Sequence, residues 1–187
     1  MITILWASPN DDGLTAACVE AAQRGVKAAG YACDTIALNN ASIGMCRACG
    51  NGWGTCREQH ECCVQDGFQA VHHMVRQAEA VIAVTPVYWG DMAESAKCFF
   101  DRLRRCEALL REAGTLHGRD FLAVAAAGGS GNGTITTLAQ FERLAGHLGM
   151  RFFDGIPVKR FTRLYQLDTV ERAAAALAAA VRTGAAT

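Results

Sequence analysis

The chain alternates between short continuous apolar runs and longer stretches whose apolar positions recur every three or four residues. Ile2–Ala7, Ala32–Leu38, Ala80–Thr85, Phe121–Ala127 and Arg151–Val158 read as strands. Ala80–Val84 is apolar without interruption, as a strand covered on both faces is, whereas Arg151–Val158 is more polar and suits a sheet edge. Leu14–Ala29, a stretch opening at Asp66 and running to Ala78, Ser95–Ala113, Thr136–Leu148 and Asp168–Arg182 read as helices. Gly30 takes the left-handed position after the first helix. Asp66 with Gln69, and Asp168 with Glu171, have the spacing of capping boxes. Phe99, Leu103, Cys106 and Leu110 form the apolar stripe of the third helix.

Five strand–helix units in succession predict an α/β fold, a parallel sheet with helices on both faces, because each crossover is right-handed. Two strand orders suit five such strands: a Rossmann half extended by two strands, and 2-1-3-4-5, which puts the apolar Ala80–Thr85 run at the centre. Residues 1–187 read as one domain, with a cysteine-rich insertion at about 39–65. That insertion is aperiodic and too long for an ordinary connection, which marks it as functional.

Composition narrows the partners. The 18 basic and 18 acidic residues balance and form no long run of one sign, which argues against nucleic acid or an anionic membrane as the main partner. Met1–Ala7 lacks the basic flank of a signal peptide, and Ala173–Val181 is about half the length that spans a bilayer. The expectation is a soluble, cytoplasmic protein.

Nine cysteines without a secretory signal favour metal, redox or core roles over a disulfide framework. Cys18, Cys33, Cys98 and Cys106 fall on the expected helices and strands, where free thiols are common core residues. Cys46, Cys49, Cys56, Cys62 and Cys63 crowd into the insertion. Thiolates are soft ligands, and four of these residues, Cys46, Cys49, Cys56 and either Cys62 or Cys63, can close around zinc or an iron–sulfur cluster. A metal-free set of thiols, forming a redox disulfide or packing beside a neighbouring subunit, is equally open at this point.

In a parallel α/β sheet the loops after the first, third and fourth strands converge at the carboxyl edge, where ligands bind. The first, Ser8–Thr15, offers backbone N–H groups and two hydroxyls at a helix start, a candidate phosphate cradle that lacks the G-x-G-x-x-G pattern. Asp11 and Asp12 oppose a phosphate there unless they face solvent. The second carries Tyr88, Trp89 and Gly90, which suit a planar ligand or, equally, an ordinary core or subunit contact. The third, Gly128–Gly133, holds four glycines in six residues, the freedom a chain keeps for tight turns or close approach to a ligand. Five histidines show no nucleophile–base spacing, and Asp101-Arg102 reads as structural.

Ala7-Ser8-Pro9 with Gly13-Leu14-Thr15, then Thr85-Pro86-Val87-Tyr88-Trp89-Gly90-Asp91-Met92, then Lys97-Cys98-Phe99-Phe100-Asp101-Arg102, together resemble the NADPH-dependent FMN reductase and iron–sulfur flavoprotein family. The resemblance implies a flavodoxin-like three-layer sandwich, a five-stranded parallel sheet of order 2-1-3-4-5 and subunits paired as a homodimer or homotetramer around the flavin. It places FMN phosphate on Ser8, Asn10, Leu14 and Thr15, and the ring between Pro86, Val87, Tyr88 and Trp89 on one side and Gly128, Gly129 and Gly133 on the other. The phosphate loop departs from that family in having Asn10-Asp11-Asp12 where a basic residue is usual. The iron–sulfur branch implies a 4Fe-4S cluster on Cys46, Cys49, Cys56 and Cys63, although Cys56 is displaced by four positions from the branch's third cysteine.

The expected activity is oxidoreduction with FMN as cofactor and NAD(P)H as donor, the acceptor being a quinone, free flavin or ferric complex. An electron carrier joining FMN to an iron–sulfur cluster is the alternative. A receiver-type signalling module is disfavoured, because the third strand ends in Thr85-Pro86 and not in a phosphorylatable aspartate.

Overall fold

The computed structural model describes residues 1–184. Five long strands run parallel: β1 (Ile2–Trp6), β2 (Cys33–Ala37), β3 (Ala80–Tyr88), β5 (Asp120–Ala127) and β6 (Arg151–Lys159). Their spatial order is β2-β1-β3-β5-β6, so β3 is central and β2 and β6 are the edges. This is the 2-1-3-4-5 order of the five parallel strands. A sixth, two-residue strand, β4 (Asp91–Met92), pairs antiparallel with the end of β3, so the expected count of five is one short.

Strand alternation explains the three layers. Ile2 and Ile4, Ile82 and Val84, Leu122 and Val124 point to one face and pack beneath α1 (Leu14–Ala28) and α6 (Arg163–Thr183). Leu5, Val81, Ala83, Phe121 and Ala123 point to the other, beneath α3 (Phe68–Gln77), α4 (Glu94–Glu107) and α5 (Thr134–Leu148). Both faces of β3 and β5 are therefore covered, and each large side chain fully withdrawn from water contributes about 2 kcal/mol. On the second face Phe99, Phe100, Phe121 and Phe141 meet edge-on or tilted, with centroids 5.2 to 6.3 Å apart. Such geometry adds to their area burial.

Element boundaries differ from expectation where side-chain chemistry was misread. The third expected helix stops at Glu107, and a separate 3-10 turn, Arg111–Ala113, follows, with Arg111 at φ +49°. The last helix begins at Arg163, five residues before Asp168; Thr162 Oγ1 accepts from Lys159 N at 3.0 Å ahead of it. Asp168 lies inside that helix and pairs with Arg172. Before α3 the expected exchange is present: Phe68 N donates to Asp66 Oδ1 at 2.9 Å, and Asp66 N donates to Gln69 Oε1 at 3.2 Å.

The insertion contains only a 3-10 turn at Leu38–Asn40 and the short helix α2 (Thr55–Glu58). No helix among the described residues is long and apolar enough to cross a membrane.

Candidate functional site

At the carboxyl edge of the sheet, β1 ends against α1 in a loop without side-chain caps. The N-cap of α1 is Gly13, and no side chain accepts from the first-turn N–H groups. Ser8 and Thr15 are buried beside it, Asn10 is exposed and Leu14 is half-buried. The Ser8 hydroxyl is held locally, accepting from Asn10 N at 3.2 Å. Asp11 and Asp12 are both exposed, so their charges are solvated at the rim. Free first-turn donors and the partial positive charge of a helix start are what an anion site requires.

The second loop is a β-hairpin. Val87 pairs with Met92 and Tyr88 with Asp91, leaving Trp89 and Gly90 as a two-residue turn. Both have positive φ, +54° and +78°, as a type I′ turn requires. The turn holds Trp89 wholly in solvent, at 106% relative exposure, with Tyr88 at 45%. Thr85, which the sequence marks only as the end of the strand, is buried and clamps the hairpin base: its hydroxyl accepts from Ala93 N at 2.9 Å and donates to Pro86 O.

The third loop meets the second. Thr136 Oγ1 donates to Gly90 O at 2.7 Å, and a Cβ on Gly133 would lie 2.6 Å from Gly90 Cα. Gly133 is thus a glycine for the sake of Gly90, whereas Gly128 and Gly129 face open space in which a Cβ meets nothing. A groove of about 600 Å³ opens on the other side of Tyr88, lined by Pro9, Leu38, Ile43, Glu94, Ser95 and Cys98 among others. All three loops expected to hold a flavin therefore stand at one edge.

The cysteines form a second centre. Cys46, Cys49, Cys56, Cys62 and Cys63 line one small cavity, and Cys106 from α4 joins them. Cys49 and Cys63 Sγ are 3.5 Å apart. The cavity is closed down to about 20 Å³, roughly the room for one water. Two sulfurs on one tetrahedral ion stand about 3.8 Å apart, so this pair suits a single ion or a dithiol. A cubane cluster, taking one cysteine per iron, needs a wider cage. Among the described residues no three His, Cys, Asp or Glu side chains are arranged to hold a metal ion.

The scaffold of this cavity was only partly legible. Arg105 donates to Gly52 O and stacks on Trp53 at 4.8 Å, and Gln69 Nε2 donates to the carbonyls of Cys62 and Val64. Asp101 and Arg102, adjacent in sequence, part company. Asp101 pairs with Lys97 on the surface, while Arg102 is buried and donates to both oxygens of Asp66 at 2.9 and 2.7 Å. Burial works against Asp66 ionising, but Arg102 and the N–H groups of Gly44 and Phe68 outweigh it and hold the carboxyl below its ordinary value. Beneath lies Glu107, whose burial is likewise outweighed by His72 at 2.6 Å and Arg76 at 2.7 Å, leaving its pKa lowered.

A doubly wound parallel sheet with an uncapped helix start and two converging loops at its carboxyl edge is a flavodoxin-like architecture. A WrbA-like flavodoxin from Agrobacterium tumefaciens shares the fold with a TM-score of 0.65 at 16% identity, over 97% of both chains. So does an NAD(P)H:quinone oxidoreductase from Methanothermobacter marburgensis, with a TM-score of 0.65 at 18% identity over 94% of both chains. The chain belongs to the NADPH-dependent FMN reductase family, whose model matches residues 1–159. It is 30% identical over 132 residues to an iron-sulfur flavoprotein of Methanosarcina thermophila, a match covering 71% of this chain and 65% of that relative's length.

Proposed function

We propose that the protein is an FMN-dependent oxidoreductase that passes electrons from NAD(P)H to a small acceptor such as a quinone, free flavin or ferric complex. The observation that carries this reading is the convergence of the uncapped start of α1, the Tyr88–Asp91 hairpin and the open Gly128–Gly129 loop at one sheet edge. Family membership supports the choice of cofactor and donor.

FMN, when bound, supplies two-electron chemistry that no side chain here provides. Ser8, Thr15 and the first-turn N–H groups of α1 would hold its phosphate. Backbone N–H groups of the third loop would donate to the carbonyl edge of the ring, and Tyr88 and Trp89 would cover it from water. The purified protein is expected to be yellow and to bleach with NADPH or NADH. A colourless protein that takes up no FMN overturns the reading.

A homodimer or homotetramer is part of this proposal. Trp89, Ile135, Phe161, Leu164 and Tyr165 are exposed apolar side chains on the loops and helix starts of the flavin edge, more than a surface leaves scattered singly. Light scattering that gives a monomer at micromolar concentration removes it. A cytoplasmic location, where free thiols persist, completes the reading.

A second reading, an iron–sulfur flavoprotein carrying single electrons between protein partners, is favoured by the six thiols around one cavity. Their soft donors and the cations of Arg47, Arg102 and Arg105 suit an anionic metal–thiolate centre. Iron and acid-labile sulfide measured after anaerobic purification decide: neither present removes this reading.

A further inference from the structure

Five thiols crowd the insertion, and two of them are paired. Cys49 Sγ and Cys63 Sγ stand 3.5 Å apart and share a hydrogen bond. Among the described residues no other two sulfurs share one, and all nine cysteines are free thiols. A gap of about 3–3.5 Å is the separation from which two reacting atoms bond without a further search. A disulfide closes it to about 2.05 Å.

The two limbs that carry the pair are held from outside it. Gln69 Nε2 donates to Cys62 O at 2.9 Å and to Val64 O at 2.8 Å, so the residues on both sides of Cys63 are pinned to α3. Arg102 Nη2 also donates to Val64 O, at 2.8 Å. On the other limb Arg105 of α4 donates to Gly52 O, and Thr55 Oγ1 reaches across to Glu61 O at 2.7 Å. Gly54 lies against the pair itself: a Cβ there would press on Cys49 Cβ at 3.0 Å and touch the two sulfurs at 3.7 and 3.8 Å. None of these bonds uses a sulfur, so the scaffold presents two thiols to each other and leaves both free to react. Cys63 is exposed, whereas Cys49 is half-buried in the cavity wall.

We propose that Cys49 and Cys63 are a dithiol that closes to an intramolecular disulfide by exchange with a low-molecular-weight disulfide. The exposed Cys63 sulfur attacks one sulfur of the small disulfide; a bond to Cys63 forms, the S–S bond of the small disulfide breaks and its first thiol leaves. The Cys49 sulfur, 3.5 Å away, then attacks the Cys63 sulfur and expels the second thiol. The two cysteines lose two electrons and two protons, and the small disulfide gains both to become two thiols. The closed bond ties positions fourteen apart and bridges the two limbs of the insertion. The inference does not rest on the flavin reading, and a metal held by these sulfurs is its competitor.

The test uses the full chain, purified anaerobically, with its zinc and iron measured first. Oxidised glutathione is added, the remaining thiols are blocked with N-ethylmaleimide, and the protein is digested with trypsin without reduction. Cleavage at Arg57 separates the two cysteines, so the disulfide appears as a linked peptide pair that fragmentation assigns to residues. The expected product is Cys49–Cys63, formed in the folded protein, kept in Cys62→Ser and Cys56→Ser, and reversed by excess reduced glutathione. In Cys49→Ser the mixed disulfide of glutathione with Cys63 is expected to accumulate at least tenfold over the parent. A link through Cys56 or Cys62, a link that forms only in urea, or no link at all overturns the proposal. So does a metal that stays bound and keeps the pair from linking. Glutathione that enters Cys49 in Cys63→Ser as fast as it enters Cys63 in Cys49→Ser overturns the order of attack.

Discussion

Gly133 stands against Gly90 so closely that a Cβ on the former would approach the Cα of the latter to 2.6 Å and its amide nitrogen to 3.1 Å. Gly133 also has φ +82°. Gly133→Ala therefore meets both a backbone clash and a strained conformation, and is expected to cost about 1–3 kcal/mol. Because the contact joins the second loop to the third, FMN affinity should fall with it. Gly128→Ala enters open space and should stay within about 0.5 kcal/mol of the parent. Urea unfolding of the apoprotein and FMN titration of both variants check this; equal stability losses would refute the loop-locking role.

Trp89 sits at a left-handed position that a bulky side chain tolerates poorly, and nothing in the protomer packs on it. Trp89→Asn creates the Asn-Gly pair that a type I′ turn prefers. The apoprotein is expected to gain roughly 0.5–1 kcal/mol while FMN dissociates faster and self-association weakens. A variant that is more stable and binds FMN as well as the parent would show that Trp89 serves neither ligand nor partner.

How much of this was legible depends on the distance over which each residue's role is set. The apolar run Ala80–Val84 announced the central strand because both of its faces are core, a property of the run itself. The three loops were found because strand order fixes where they go. Arg102 was read as part of a structural pair with Asp101, yet its partner is Asp66, thirty-six positions away, brought in by the turn before α3. Leu110 continued the helical stripe on paper, but the helix ends at Glu107 and the chain turns through Arg111 at positive φ. Cys106 was assigned to the core, and is buried there, but it also closes the thiol cavity. Local periodicity reports which face is covered, not what covers it.

Glu107 makes a pH prediction whose sign is fixed by its lowered pKa. A carboxyl depressed in the folded state contributes stability that is fully present above the unfolded value, about 4.3, and is lost as pH falls through the folded value. Asp66 acts in the same direction. Urea midpoints should hold from pH 7 down to about pH 5 and then fall steeply. Glu107→Gln leaves Arg76 and His72 without their anion, at a cost of about 3 kcal/mol at neutral pH, and flattens the acid limb. An acid limb as steep as the parent's would show that the Glu107 network does not carry it.

Thiol reactivity separates the cysteines by environment. Burial pushes the Cys18 thiol up to about 12, and burial with the neighbouring Cys62 and Cys56 pushes Cys106 up to about 12. At pH 8 each holds on the order of a thousandfold less thiolate than an ordinary cysteine, and neither is exposed. Brief iodoacetamide treatment of the native protein, read by peptide mass spectrometry, should label the exposed Cys63 first and spare Cys18 and Cys106. All nine cysteines should label alike in urea. Cys106 labelling as fast as Cys63 would mean that the cavity opens in solution. Protection of Cys46, Cys49, Cys62 and Cys63 together, lifted by a chelator, would mean instead that the cavity is filled by metal.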